Sequence, residues 1–224
     1  MSCCSHCRDA NAFFGQRDAM HRLARYQRHG PEGTTRLLIE ALGATRLTDA
    51  TLLDIGGGIG VVHHELLRAG AAHAVAIDAA TAALTVAETE SQRLGHAERV
   101  TYLHGDFVTL APTVAPATLV VLDRVICCYP AMPALVEAAA ARTERLLGLV
   151  YPHDAWWVRL GMQVLNAGLA LQRTTFRVFC HPTAAVDAQI RQAGLTQRFR
   201  RIRGPWQVVV YERLVAQADA RPVG

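Results

Sequence analysis

The residues with the clearest chemistry lie in the turn Asp54-Ile55-Gly56-Gly57-Gly58-Ile59-Gly60, directly behind the apolar pair Leu52-Leu53. The apolar run reads as a buried strand. Gly56, Gly58 and Gly60 read as backbone left bare, able to take positive φ or to let a ligand lie against it. The next segment, Val61 to Ala69, spaces Val62, Leu66 and Leu67 as one face of a helix. Strand, tight turn and helix N-terminus together form the arrangement that binds nucleotides in doubly wound sheets.

Which nucleotide follows from the neighbours of the turn. A second apolar strand, His73 to Ile77, ends at Asp78, 18 residues after Gly60. A carboxylate at that strand tip is placed to accept hydrogen bonds from both ribose hydroxyls of an adenosine. The turn reads Asp-x-Gly-x-Gly-x-Gly over Asp54, Gly56, Gly58 and Gly60, unlike the Gly-x-Gly-x-x-Gly of dinucleotide enzymes. A turn with a carboxylate at its entry suits a ligand amino group better than a pyrophosphate. Adenosine plus an amino group points to S-adenosylmethionine.

The pattern continues in order. Val100 to His104 is a short strand followed by Gly105-Asp106-Phe107, where Asp106 can accept from an adenine amine and Phe107 can cover the ring. Thr118 to Leu122 is a continuous apolar run, as in a central parallel strand, and ends at Asp123-Arg124. Asp54, Asp78, Asp106 and Asp123 therefore sit at four strand ends facing one crevice.

These residues resemble the class I S-adenosylmethionine-dependent methyltransferases, by motif over roughly residues 50–150 and more loosely, by element order, over the whole chain. Within them, three features are similar to the magnesium-protoporphyrin O-methyltransferase branch. They are Phe13-Phe14-Gly15 before a basic helix, Ile126-Cys127-Cys128-Tyr129-Pro130 after the fourth strand, and His181-Pro182 opening a late helix. The resemblance implies an α/β, Rossmann-like fold: a seven-stranded, mostly parallel sheet with helices on both faces and an antiparallel edge strand. It implies that Asp54, Gly56, Gly57, Gly58 and Gly60 hold the methionine end of the cofactor. Asp78 and Ala79 then take the ribose, Asp106 and Phe107 the adenine, with Asp123 beside them. Methyl transfer mainly requires alignment of a nucleophile and exclusion of water. The candidate catalytic groups are Arg124, Cys128, Tyr129 and, from the N-terminal segment, Tyr26; His29, His104 and Cys127 lie near the same end. The acceptor is a small or medium-sized molecule, methylated at a carboxylate oxygen if the porphyrin branch is followed.

Cys3, Cys4 and Cys7 form a second feature, since Cys4-x-x-Cys7 has the spacing of half a zinc or redox site. Cys127-Cys128 or Cys180-His181 could complete it, giving a site for a soft metal or metalloid and an acceptor that is a thiol, metal or metalloid. Two readings of other classes stay open. One is a nicotinamide dehydrogenase, disfavoured by the glycine spacing and the lack of a second domain. The other is a non-catalytic, metal-sensing cofactor-binding module, disfavoured by the intact turn and Asp78.

The 224 residues suffice for one α/β domain with short additions. We divide them into an N-terminal helical lid (1–45), the methyltransferase domain (46–215) with a helical insertion near 154–173, and a tail (216–224). The lid presents Phe13, Phe14, Met20, Leu23 and Tyr26 as its apolar side, with Pro31 early in the next helix. The insertion, rich in Trp and Leu, suits its own core, a large flat substrate or peripheral contact with a membrane. Net charge is +4, and the alternating Arg198, Arg200, Arg201 and Arg203 read as the solvated face of an edge strand, with no nucleic-acid partner expected. No apolar stretch is long enough to span a bilayer and no secretory signal is visible. With six cysteines in a Rossmann-like domain, this points to a reducing, cytoplasmic setting.

Overall fold

The computed structural model describes residues 5–214. Three helices lead, α1 (Ser5–Phe13), α2 (Gln16–His29) and α3 (Gly33–Gly43). Then strands and helices alternate: β1 (Thr51–Ile55), α4 (Val61–Arg68), β2 (His73–Asp78), α5 (Thr81–Leu94), β3 (Val100–His104), the single turn α6 (Phe107–Leu110), β4 (Ala117–Asp123), α7 (Met132–Ala141) and β5 (Thr143–Pro152). The chain closes with α8 (Trp156–Leu171), α9 (Thr183–Gln192), β6 (Leu195–Arg203) and β7 (Trp206–Arg213).

The seven strands form one sheet in the order β3-β2-β1-β4-β5-β7-β6. β1 to β5 pair in parallel, and β7 runs against both β5 and β6. The strand that reverses direction is thus one place in from the edge, held in the β6–β7 hairpin. After β1 the chain builds outward to β2 and β3, then returns to place β4 on the other side of β1. The loops leaving β1 and β4 diverge there, and that divergence opens the crevice.

Strand alternation divides the core in two. Leu53, Ile55, Val120 and Leu122 face α7 and α9. Leu52, Val121, Leu146 and Val150 face α3 and α4 through Leu38, Leu42, Val62 and Leu66. Both faces of β4 are buried, which is why its sequence is an unbroken apolar run. At Gly148 on β5, a Cβ would come within 2.8 Å of Leu38 Cδ1, so the bare backbone lets α3 lie directly on the sheet.

Three expectations change in detail. The leading segment to Gly30 is two helices, broken at Phe14-Gly15, and the buried side of α2 is Ala19, Leu23 and Tyr26. These pack on Ile59 and Val86, laying α2 over the glycine turn; Met20 is exposed. Pro31 stands before α3, in the turn ahead of its N-cap Glu32, where it needs no helical hydrogen bond. α8 buries only Val158 and Leu169, so the reading of a helix packed on its own core does not hold for most of its length.

Candidate active site at the switch point

A cavity of about 730 Å³ lies beyond the carboxyl ends of β1, β2 and β4, roofed by α1 and α2 and walled on one side by α8. Its floor is the glycine turn. Gly56 and Gly58 sit at φ +63° and +58°, and the Gly56 N–H donates to Ile77 O at 2.6 Å, which ties the turn to β2. A Cβ on Gly56 would meet Val125 Cγ2 at 2.6 Å. A Cβ on Gly58 would meet nothing within 4 Å and would occupy cavity space instead. Gly60, at φ +86°, starts α4.

Asp54 corrects the sequence reading. Its side chain is fully buried behind the turn and does not line the cavity. Its Oδ2 bonds His63 Nδ1 at 2.8 Å, and a Cβ on Gly57 would collide with the same oxygen. His63 Nε2 continues to the Tyr102 hydroxyl (3.3 Å), which meets Ser91 Oγ at 2.7 Å. Asp54 therefore braces the turn from beneath. Nothing in the spacing of His63, Ser91 and Tyr102, on three different elements, signals this network in the sequence.

Asp78, Asp106 and Asp123 do reach the cavity wall, as do Ala79 and Phe107. Asp78 Oδ2 accepts from the Gly58 N–H and Oδ1 from the Ala80 N–H, both at 2.8 Å. Burial raises its carboxyl above the usual range, and these backbone donors pull it back. Asp106 caps α6 through the Val108 N–H (3.2 Å). Asp123 Oδ2 accepts from Thr35 Oγ1 at 2.6 Å, while its buried Oδ1 has no hydrogen bond among the described residues. Burial raises this carboxyl too, opposed chiefly by Arg124, whose Nε is 3.9 Å from Oδ1. Thr35, on α3, was not singled out in the sequence; its hydroxyl is recognisable only once the lid is folded.

Arg124 holds a left-handed backbone at φ +63°, a strained conformation for an arginine. Its N–H donates to Val150 O at 2.8 Å, its Nη2 to Thr34 Oγ1 at 3.0 Å, and its guanidinium lies 5.2 Å from the Trp206 ring centre. Arg22, absent from the sequence-based candidates, reaches the same cavity from α2, paired with Asp18 (2.8 Å) and stacked over Phe14. Phe13, Phe14, Phe176, Met162, Leu165 and Leu169 make an apolar part of the wall, and His21, Arg25 and Glu32 line it as well.

Two tyrosines are corrected. The Tyr26 hydroxyl donates to Glu65 Oε1 at 2.7 Å, and burial with that carboxylate raises its pKa well above that of a free phenol. It lines the cavity while fastening the lid to α4. The Tyr129 hydroxyl donates to Asp106 Oδ1 at 3.0 Å, so it supports the capping carboxylate and does not stand as a free acid or base. His29 and His104 do not line the cavity.

Cys127 and Cys128 do line it, their sulfurs 3.7 Å apart. Their mutual hydrogen bond pushes Cys127 up and holds Cys128 below the usual thiol range. Cys7 is buried on the opposite, lid side of the cavity. Cys3 and Cys4 lie outside the described residues. Among the described residues, no group of three or more His, Cys, Asp or Glu side chains is disposed to hold a metal ion, so neither Cys127-Cys128 nor Cys180-His181 completes a site with Cys7.

Comparison with known proteins agrees with this architecture. Residues 52–147 match a family described as a methyltransferase domain. No curated protein matches the chain. Among solved structures, magnesium protoporphyrin IX methyltransferase from Synechocystis PCC 6803 with bound S-adenosylhomocysteine is similar at 18% identity and a TM-score of 0.69, over 94% of this chain and 100% of that one. The same enzyme with bound S-adenosylmethionine gives 16% identity and a TM-score of 0.67, over 96% and 100%. An O-methyltransferase family protein from Burkholderia thailandensis gives 17% and 0.63, over 89% of this chain and 63% of that one. The domain match falls on the segment that builds the glycine turn, Asp78 and the β4 end, and the chain shares the fold of these solved methyltransferases.

Proposed function

We propose that this enzyme methylates a carboxylate of an amphiphilic or aromatic small molecule. The observation that carries the reading is Arg124, kept in a strained backbone conformation with its guanidinium on the wall of a cavity that also carries the aromatic and aliphatic patch Phe13, Phe14, Phe176, Met162, Leu165 and Leu169. A planar guanidinium in such surroundings recognises a carboxylate through two parallel hydrogen bonds. Arg22 on the lid adds a second cationic group to the same end.

The residues suit the cofactor. The space above Gly58 admits the ligand that a side chain would exclude. Asp123 Oδ1, buried and without a hydrogen bond, is the acceptor we assign to the methionine amino group. Asp78, on the cavity wall, is assigned to the ribose hydroxyls, and Asp106 with Phe107 flanks the adenine. When bound, S-adenosylmethionine supplies a methyl group already activated by its sulfonium charge. The chain's own part is then to orient and dry. Arg124 fixes the acceptor carboxylate, α1 and α2 cover the cavity, and the Phe13-Phe14-Phe176 cluster excludes water. A carboxylate is ionised at neutral pH, so no general base is required. This accords with both tyrosines being otherwise engaged.

Cys127 and Cys128 favour a second reading, in which the acceptor is a thiol or a metalloid held by two sulfurs on the cavity wall. One screen separates the two. The reduced protein is given labelled S-adenosylmethionine with aromatic carboxylates, their amides, thiols and arsenite. Carboxylates should be methylated and their amides not. Arg124→Ala should raise KM for the carboxylate at least about tenfold, from loss of a charge-assisted pair, with S-adenosylhomocysteine binding unchanged within threefold. Equal turnover of amides, or turnover of thiols or arsenite alone, would overturn the carboxylate assignment.

A further inference from the structure

α8 is apolar on two sides. Its inner side, Met162, Leu165 and Leu169, walls the cavity. Its outward side exposes Trp156 (76%), Trp157 (45%), Leu160 (52%), Val164 (65%) and Leu171 (87%). At helical spacing these five fall within one arc of about 100°. A single charge lies on the helix, Arg159, and it turns toward Asp154 at 3.4 Å. Leaving such an arc in water is costly, so something covers it.

The surroundings indicate what. The β6–β7 hairpin tip is fastened to the start of α8: the His153 N–H donates to Pro205 O and its Nε2 to Gly204 O, each at 3.0 Å, while the His153 ring packs edge-on against Trp157 at 5.3 Å. Arg201, Ile202 and Arg203 are exposed at that tip, and Leu195–Gly204 contains no carboxylate. Arg173 is exposed just past the other end of the helix. The apolar arc is therefore bracketed by cations at both ends. A second copy seated on the arc by two-fold symmetry would set arginine against arginine in either helix orientation. An anionic lipid surface complements both features, since the headgroups meet the arginines and the acyl boundary takes the Trp-Leu arc. Among the described residues no helix is long and apolar enough to cross a membrane, so the element lies on the surface.

We propose that α8 and the β6–β7 tip dock this enzyme on an anionic bilayer, with α8 in the plane of the interface. The same helix then carries the acceptor cavity on its inner side, at the edge of the lipid. Docking is read without turnover, so its failure is distinguishable from failure of the carboxylate reading. The test is co-sedimentation of the full chain with phosphatidylcholine vesicles, with and without phosphatidylglycerol. Tryptophan emission is followed in parallel. Binding should be at least about tenfold greater with the anionic lipid, fall as salt rises, and shift the emission to the blue. The variant Trp156→Ser/Leu160→Ser/Val164→Ser, all at exposed positions, should lose about tenfold in binding while keeping its melting temperature and S-adenosylhomocysteine affinity. Arg201→Ala/Arg203→Ala should abolish the preference for anionic lipid. No vesicle binding, or equal binding by the serine variant, overturns the proposal. A concentration-dependent dimer that the serine variant loses also overturns it and gives the arc to a second copy.

Discussion

Replacing Asp78 by alanine tests the cofactor site most directly. In the folded chain this carboxylate accepts from Gly58 N–H and Ala80 N–H at 2.8 Å each, which uses one lone pair on each oxygen. The acceptor capacity left beside these donors and the neighbouring Ala79 N–H is what we assign to the ribose hydroxyls. Losing two hydrogen bonds to a charged acceptor costs about 2–4 kcal/mol, or about 30-fold to 700-fold in Kd. Freeing the Gly58 N–H also loosens the turn, which places the expectation toward the upper end. Stability should fall as well, because the Gly58 and Ala80 N–H groups lose their acceptor, offset in part by removal of a buried charge. Asp78→Asn should fall between, since its NH2 group must face one of two backbone donors. The assay is calorimetric titration of reduced protein with S-adenosylhomocysteine, with a thermal melt of each variant as the control for folding. A folded Asp78→Ala protein that binds within threefold of the parent, a difference under about 0.7 kcal/mol, would refute the ribose assignment.

Three further outcomes are expected. Gly148→Val should destabilise the chain by at least about 1–3 kcal/mol in urea unfolding, because the added carbons overpack against Leu38 and Leu42; an unchanged midpoint would show that α3 can lift off the sheet. His64 is fully buried, and burial beside His63 and His96 lowers its pKa to about 2. The unfolded chain takes up that proton near pH 6.5 and the folded one does not, so stability falls as pH drops below about 6.5, by up to about 1.4 kcal/mol per unit. Unfolding at pH 7 and pH 5 should show the loss, and His64→Leu should reduce it. Tyr26→Phe should weaken lid docking by about 1 kcal/mol through the lost bond to Glu65 and leave the shape of the pH–rate profile unaltered; a lost alkaline limb would restore Tyr26 as a base.

What the sequence determined by itself was everything governed by neighbours along the chain. The strand before the turn, the positive-φ glycines, and the carboxylates at the ends of β2 and β4 are local patterns, each set by backbone sterics or by burial of a continuous apolar run. So too is the helical run within the insertion near 154–173. Tertiary structure decided which way side chains turn once several elements meet. Asp54 holds the position at the entry of the glycine turn, yet its carboxylate points beneath the turn because His63, in the first turn of α4, offers a buried partner at 2.8 Å. Tyr26 and Tyr129 have reactive hydroxyls, but Glu65 and Asp106, distant in sequence, engage them. Arg22 and Thr35 gain their roles only when the leading helices fold back over the sheet. The outward arc of α8 shows the same division: its apolar spacing is in the sequence, but whether that face meets a core depends on what the rest of the chain places against it, and here nothing in residues 5–214 covers it.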